Sequence, residues 1–139
     1  MTEVSPPARL RPLLLELIES ASRIGAAACL IALPLLSLLP AGTIERTGFG
    51  KDLEHFAAYA GTGVLLTLGI ASRRLRISAS LLLMTLAASL EIAQSFTLTR
   101  SAEFEQFASG VMGAAVGLVI GSLGRRLLAG RRLWAGFSR

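Results

Sequence analysis

The chain has 139 residues, of which 53% are hydrophobic, and its mean hydropathy of +0.62 exceeds that of an ordinary soluble domain. The single cysteine, Cys29, excludes an internal disulfide framework, and the single histidine excludes a metal centre built from several histidines. The net charge of +5 lies in short basic clusters between apolar runs, so we expect a membrane protein and no nucleic-acid partner.

Four apolar stretches are long enough to cross a membrane, which takes about 20 residues, with a range of about 17 to 25. They cover residues 24–40, 53–71, 77–96 and about 107–124. The sequence therefore predicts an all-α fold, a bundle of four transmembrane helices in a single domain, 1–139. We expect a short cytoplasmic leader, residues 1–23, before the bundle and a basic cytoplasmic tail, residues 125–139, after it.

The first apolar stretch follows a basic leader, a pattern shared by cleaved signal peptides and uncleaved membrane anchors. The leader is long and no A-x-A cleavage site follows the apolar run, which favours the uncleaved anchor. Within the leader, residues 13–22 predict a short amphipathic helix, to which we assign no function.

The basic residues of the loops predict the orientation, because cytoplasmic loops carry the excess of Lys and Arg. The leader, the loop after the second stretch and the tail hold eleven of the 14. The loops 41–52 and 97–106 hold the other three, which are Arg46, Lys51 and Arg100. We therefore expect both termini in the cytoplasm, these two loops outside, and the chain in a bacterial plasma (inner) membrane.

Polar side chains gather where the second stretch begins and the third one ends. Lys51, His55 and Tyr59 are spaced by four residues, so they share a helix face and descend by about 6 Å per turn from the outer surface. Glu91 lies about 7 Å below the outer end of the third stretch, a depth similar to that of His55. Because an ionisable side chain inside a membrane normally finds a partner, we expect a His55–Glu91 pair. The candidate polar site comprises Lys51, His55, Tyr59, Glu91, Gln94, Arg100 and Glu105.

Two interpretations of this cluster remain open. The cluster can form a site at the outer face, where Lys51 and Arg100 would hold a phosphate or carboxylate and His55 and Glu91 would orient the ligand or act as acid and base. It can also be polar glue between the helices of a structural or assembly subunit that has no ligand site of its own. A proton-coupled carrier is disfavoured, because the inner halves of the spans lack ionisable groups.

Catalytic residues are not assigned, and whether the chain is an enzyme is undecided. Ser95 and Ser101 could suggest a nucleophile beside His55, but nothing in the sequence fixes that geometry. A metal at His55, Glu91 and Glu105 is not diagnosed by one histidine with carboxylates. We therefore expect no metal and no cofactor.

The fourth stretch carries a small residue at every fourth position. The stripe comprises Ser109, Gly113, Gly117 and Gly121. Such a stripe lets a neighbouring helix approach closely. We expect it to pack inside the chain, against Ala57 and Gly61 of the second stretch, rather than to form a seam between two copies.

The motifs of residues 51–117, about half of the chain, resemble the VanZ-like family of small polytopic membrane proteins. EHFAAY matches the family's His-Phe and Tyr at the head of a span through His55, Phe56 and Tyr59. EIAQSF matches its Glu-x-x-Gln through Glu91 and Gln94. TLTR supplies the outer-loop Arg100, and GVMGAAVG supplies Gly113 and Gly117 of the last span. Gln106 and Gly110 stand where the family pattern has Asp and Asn, although Glu105 is adjacent.

The resemblance implies a polytopic membrane protein linked to tolerance of glycopeptide antibiotics, but it supplies no reaction. Together with the polar cluster, it predicts that the chain binds or modifies a cell-envelope component, either a lipid-linked precursor or an anionic headgroup. The expected partners are membrane lipids, such an envelope precursor, or another membrane protein.

Overall fold

The computed structural model describes residues 10–39, 48, 50–96 and 104–134, and these residues form a helical bundle. The helices are α1 (Leu10–Leu38), α2 (Lys51–Gly69), α3 (Arg73–Ser95) and α4 (Phe104–Trp134). The prediction of an all-α bundle is confirmed. Three helical segments are long and apolar enough to cross a membrane, which indicates a membrane protein. These segments are Leu13–Leu38, Arg73–Ser95 and Phe104–Leu128.

The helices differ in extent from the predicted spans. α1 begins at Leu10, so the predicted amphipathic segment 13–22 and the first span are one continuous helix. α4 continues past residue 124 to Trp134. α2 is not among the three apolar segments, because its polar first turn, with Lys51, Asp52 and Glu54, lowers its mean hydropathy.

Local signals set the two ends of α2. Gly50, which precedes α2, has φ 87 and ψ 151, a conformation that glycine adopts without the steric cost of a side chain. After α2, Ile70 is extended, and the Ser72 side chain caps α3 by accepting a hydrogen bond from Leu75 N at 3.5 Å. Because the connection between the two helices is so short, α2 and α3 are antiparallel neighbours.

α2 and α4 run parallel and form the closest helix pair of the bundle. The positions of α4 where a β-carbon would collide with α2 are Gly113 (with Phe56 O), Gly117 (with Ala60 O) and Gly121 (with Thr67 Oγ1). On α2, a β-carbon at Gly63 would lie 3.0 Å from Ala114 O. Backbone therefore packs against backbone along this seam, which glycine alone allows.

The α2 face of this seam differs from the predicted one. Ala57 and Gly61 are exposed, and nothing lies within 4 Å of a β-carbon built at Gly61. The stripe of α4 packs instead one residue away, against Phe56 and Ala60. The spacing of four residues along α4 could be predicted from the sequence. The face of α2 that packs against α4 could not.

α1 and α3 cover the remaining sides of the α2–α4 pair. Leu83 and Ala87 of α3 join Tyr59 of α2 and Ala114 of α4 in the buried core. On α1, a β-carbon at Gly25 would lie 3.2 Å from the side chain of Leu65, so α1 also approaches α2 closely.

The outer surface of the bundle is strongly apolar. The exposed fractions of Ile24, Leu82 and Val119, on three different helices, are 72%, 69% and 65%. Large apolar side chains that point outward from several helices indicate contact with membrane lipid.

Candidate functional site at one end of the bundle

The bundle has two ends with different chemistry. We call the end where α1 and α3 finish and α2 begins the Gln94 end. The opposite end, where α2 finishes and α3 begins, is the Arg125 end. The predicted polar residues that the structure describes lie toward the Gln94 end.

Tyr59 is the centre of the candidate site. It is only 4% exposed and packs against Leu83 and Ala87 of α3. A β-carbon at Gly110 would lie 3.3 Å from ring carbons Cδ2 and Cε2 of Tyr59, so a larger residue there would press on the ring. Gly110 thus has a packing role beside this tyrosine.

His55 lies one helical turn before Tyr59, and the two rings stack. Their centroids are 6.5 Å apart and their planes differ by 26°. The Nδ1 atom of His55 lies 3.1 Å from the carbonyl oxygen of Lys51. Because a carbonyl oxygen only accepts, Nδ1 carries the proton in this hydrogen bond, and Nε2 of the neutral ring is then an acceptor.

Glu91 of α3 is half-buried and lies near Tyr59 of α2. Its carboxylate is close enough to the Tyr59 hydroxyl for an electrostatic interaction. The ion pairs between described residues join Arg23 and Arg125 to Glu19, and the predicted His55–Glu91 pair is not one of them. His55 and Glu91 meet at Tyr59 instead, since one stacks on its ring and the other places a charge near its hydroxyl.

Gln94 links two helices. Its side chain is 1% exposed, and Nε2 donates to Ser37 O at 2.8 Å and to Ser37 Oγ at 2.7 Å. This amide nitrogen therefore fastens the end of α3 to the end of α1. The sequence placed Gln94 in a polar site, whereas these contacts give its amide nitrogen a structural role.

The remaining predicted residues lie at the rim of this end or outside the described part of the chain. Lys51 and Glu105, at the starts of α2 and α4, are exposed, whereas Gln106 is buried. Arg100 and Ser101 lie outside the described residues.

The alternative chemistries gain no support from the described contacts. The hydroxyl of Ser95 donates to Ile92 O at 2.6 Å within its own helix. Within the described ranges, no three His, Cys, Asp or Glu side chains converge as metal ligands would.

The sequence interpretation missed a network at the Arg125 end. The last carbonyl groups of a helix lack intrahelical partners, and at α2 the arginines of three other helices supply them. Arg23 Nε donates to Gly69 O at 2.8 Å, and Arg125 Nη1 donates to Leu68 O at 2.5 Å. Arg76 Nη1 donates to Ala71 O at 2.7 Å, just past the helix end. The positive side chains also oppose the partial negative charge at the carboxyl end of the helix.

Glu19 of α1 holds two of these arginines together. Its carboxylate lies 2.6 Å from Arg125 Nη2 and 3.3 Å from Arg23 Nη2. Two signals in the sequence point to this network. Glu19 and Arg23 are spaced i, i+4, and Arg125 follows Gly121 by four residues, on the face that packs against α2.

The two ends therefore offer different chemistry. The Gln94 end presents an exposed ammonium at Lys51, an acceptor nitrogen at His55, and the neighbouring hydroxyl and carboxylate of Tyr59 and Glu91. Such a set can attract an anionic ligand and orient it by hydrogen bonds. The chain matches no protein-family model, no curated protein and no solved structure, so its function is inferred from these residues themselves.

Proposed function

We propose that the chain is an integral protein of the plasma membrane. In this proposal α2 also crosses the membrane, in addition to the three apolar segments. Its 19 residues give a length of about 28 Å, close to the hydrocarbon thickness of about 30 Å. The buried residues of α2 run from Tyr59 to Gly69, which supports a position inside the bundle along most of its length. The charged first turn then lies at the membrane surface, where its cost is small.

In this proposal both termini are cytoplasmic and the Gln94 end faces outward. The distribution of Lys and Arg along the sequence supports this orientation. The convergence of Arg23, Arg76 and Arg125 on one end of α2 agrees with it, because these arginines come from three segments expected on the cytoplasmic side.

At its outward end, the protein binds or modifies a component of the cell envelope, either a lipid-linked precursor or an anionic headgroup. The observation that carries this proposal is the stack of His55 on the ring of the buried Tyr59, with the Glu91 carboxylate acting electrostatically on that tyrosine. Polar groups at membrane depth are costly, and residues kept there are functional more often than not. The resemblance to VanZ-like proteins supports an envelope component as the ligand and a role in glycopeptide tolerance.

Each described residue has a role in this proposal. Lys51, exposed at the start of α2, attracts the negative charge of the ligand. His55 accepts a hydrogen bond through Nε2, because Nδ1 is bound to Lys51 O. The ring of Tyr59 stacks on the imidazole ring and holds it, and Glu91 places a negative charge near Tyr59.

Lipid analysis of the purified protein tests the proposal. The full chain is extracted from a bacterial membrane in mild detergent, and the lipids that remain bound are measured by mass spectrometry. We expect an anionic or lipid-linked species to stay with the wild type and to fall by about tenfold in His55→Ala, the effect of about 1.4 kcal/mol for a lost hydrogen bond.

Leu53→Ala is the matched control, because Leu53 lies half a turn from His55 and is exposed. Its bound lipids should equal those of the wild type. If His55→Ala keeps the same lipids but lowers the melting temperature or the amount of protein in the membrane, the site proposal fails. Polar glue in a structural or assembly subunit then explains the cluster.

A further inference from the structure

The Arg125 end contains more positive charge than the internal contacts neutralise. Arg23, Arg76 and Arg125 converge on the carbonyl groups of residues 68–71, so their guanidinium groups are close together. Arg73 and Arg126 are exposed, and both lie near enough to Arg76 to repel it electrostatically. The ion pairs described here provide one carboxylate, that of Glu19, and it serves Arg23 and Arg125.

The position of α3 increases this excess. Arg73, Arg74 and Arg76 all lie at the amino end of α3, whose first turn has no acidic residue. The amino end of a helix carries a partial positive charge, so arginines there are repelled by the helix as well as by each other. An anion bound among Arg73, Arg76 and Arg126 would remove both sources of repulsion.

Apolar side chains next to the arginines indicate what kind of anion this is. Leu75, Leu123 and Leu127 are exposed by 61%, 55% and 64%, and they lie on the same two helices, within three residues of Arg73 or Arg126. A soluble phosphate would leave these side chains in water. An anionic phospholipid would place its headgroup on the arginines and its acyl chains on the leucines.

We propose that Arg73, Arg76 and Arg126 bind the headgroup phosphate of an anionic phospholipid, in a site formed by the ends of α3 and α4. This site lies at the opposite end of the bundle from the candidate envelope site and is independent of it. It takes a lipid of the leaflet that surrounds the Arg125 end.

Native mass spectrometry of the full chain tests the proposal. The protein in neutral detergent receives equal amounts of phosphatidylglycerol and phosphatidylcholine with the same acyl chains. We expect the wild type to retain phosphatidylglycerol preferentially. Arg73→Gln and Arg126→Gln should each lower this preference by about fivefold, which corresponds to about 1 kcal/mol per basic residue near anionic lipid.

Arg74→Gln is the matched control, because it removes the same charge from a neighbouring exposed residue that is not part of the proposed site. It should keep the wild-type preference, and Arg73→Lys should recover most of it. Equal losses in Arg74→Gln and Arg73→Gln would mean a diffuse basic surface and would overturn the site, as would a wild type that retains both lipids equally.

A measurement on the wild type alone guards against variants that fail to fold. Phosphatidylglycerol should raise the melting temperature above its value in phosphatidylcholine, whereas soluble glycerol 3-phosphate at the same concentration should not. If glycerol 3-phosphate raises it as much, the arginines bind free phosphate and the lipid assignment is wrong.

Discussion

Charged and polar residues gather at both ends of this bundle, but they make different kinds of contact. At the Arg125 end, arginines of α1 and α4 donate to the last carbonyls of α2, and Glu19 ties the two arginines to each other. At the Gln94 end, His55 stacks on Tyr59 within one helix, and Gln94 binds Ser37 across two helices. Ion pairs and arginine hydrogen bonds connect the helices at the Arg125 end. At the Gln94 end, the amide of Gln94 connects two helices and His55 stacks on the ring of Tyr59.

The difference shows that a cluster of charged residues in a sequence does not by itself reveal which contacts those residues make. In the sequence, the arginines near α2 predict the membrane orientation, and in the structure three of them also complete the hydrogen bonding of a helix end. Among the described contacts, His55 and Tyr59 of the other end donate to no carbonyl of another helix. That contrast is why we propose the envelope-ligand site at the Gln94 end. At the Arg125 end, Arg23, Arg125 and Glu19 form a structural clamp on the end of α2, beside the proposed lipid site.

The largest expected effect on stability comes from a substitution in the α2–α4 seam, which connects the two ends of the bundle. In Gly117→Ala the new methyl group would collide with Ala60 O and lie 3.0 Å from the α-carbon of Gly63. Because backbone atoms cannot move aside, we expect the free energy of unfolding to fall by about 3 kcal/mol. Circular dichroism during denaturation in mixed micelles measures it.

Gly124→Ala is the control for the seam. A β-carbon at Gly124 would make an ordinary contact of 3.7 Å with Leu68 Cδ2, so the substitution should cost nothing. Equal losses in the two variants would show that α2 and α4 are not in backbone contact. The description of both ends would then have to change.

The next largest effect on stability tests whether Arg125 stabilises the bundle through its specific contacts or only through its charge. Arg125→Met removes the hydrogen bond to Leu68 O and the ion pair with Glu19. The Arg125 and Glu19 side chains are about three-quarters buried, so we expect a loss of about 2 kcal/mol in the free energy of unfolding in neutral detergent.

Arg126→Met changes the same charge at the neighbouring exposed residue and should have little effect in neutral detergent. The two variants are compared by the same denaturation. If Arg126→Met costs as much as Arg125→Met, the end is stabilised by its overall charge and not by a clamp.

Sequence reasoning predicted the helices well, because long apolar runs and loop charges are properties of neighbouring residues along the chain. It could not predict that α1 continues to Leu10, since Glu16, Glu19 and Arg23 interrupt the apolar run there. The contacts of Glu19 explain the continuation, because its partner Arg125 lies 106 residues away in sequence.

The candidate site was predictable in composition but not in arrangement. The spacing of four put Lys51, His55 and Tyr59 on one helix face, and depth alone suggested a His55–Glu91 pair. Depth does not fix rotation about the helix axis, and His55 stacks on the buried ring of Tyr59. The choice between the Ala57–Gly61 face and the Phe56–Ala60 face depends on the same rotation.

The smallest effect is expected from the amide at the Gln94 end. Gln94→Leu removes the bonds to Ser37 O and Oγ but fills a similar volume, so we expect a loss of about 1 kcal/mol, as for other polar contacts between membrane helices. Ser95→Ala, which removes an exposed hydroxyl bonded within its own helix, should cost less. The same denaturation measures both variants. A loss larger than that of Arg125→Met would reverse the comparison. The Gln94 end would then be the structural end, because its polar cluster would contribute more to stability than the arginine contacts do.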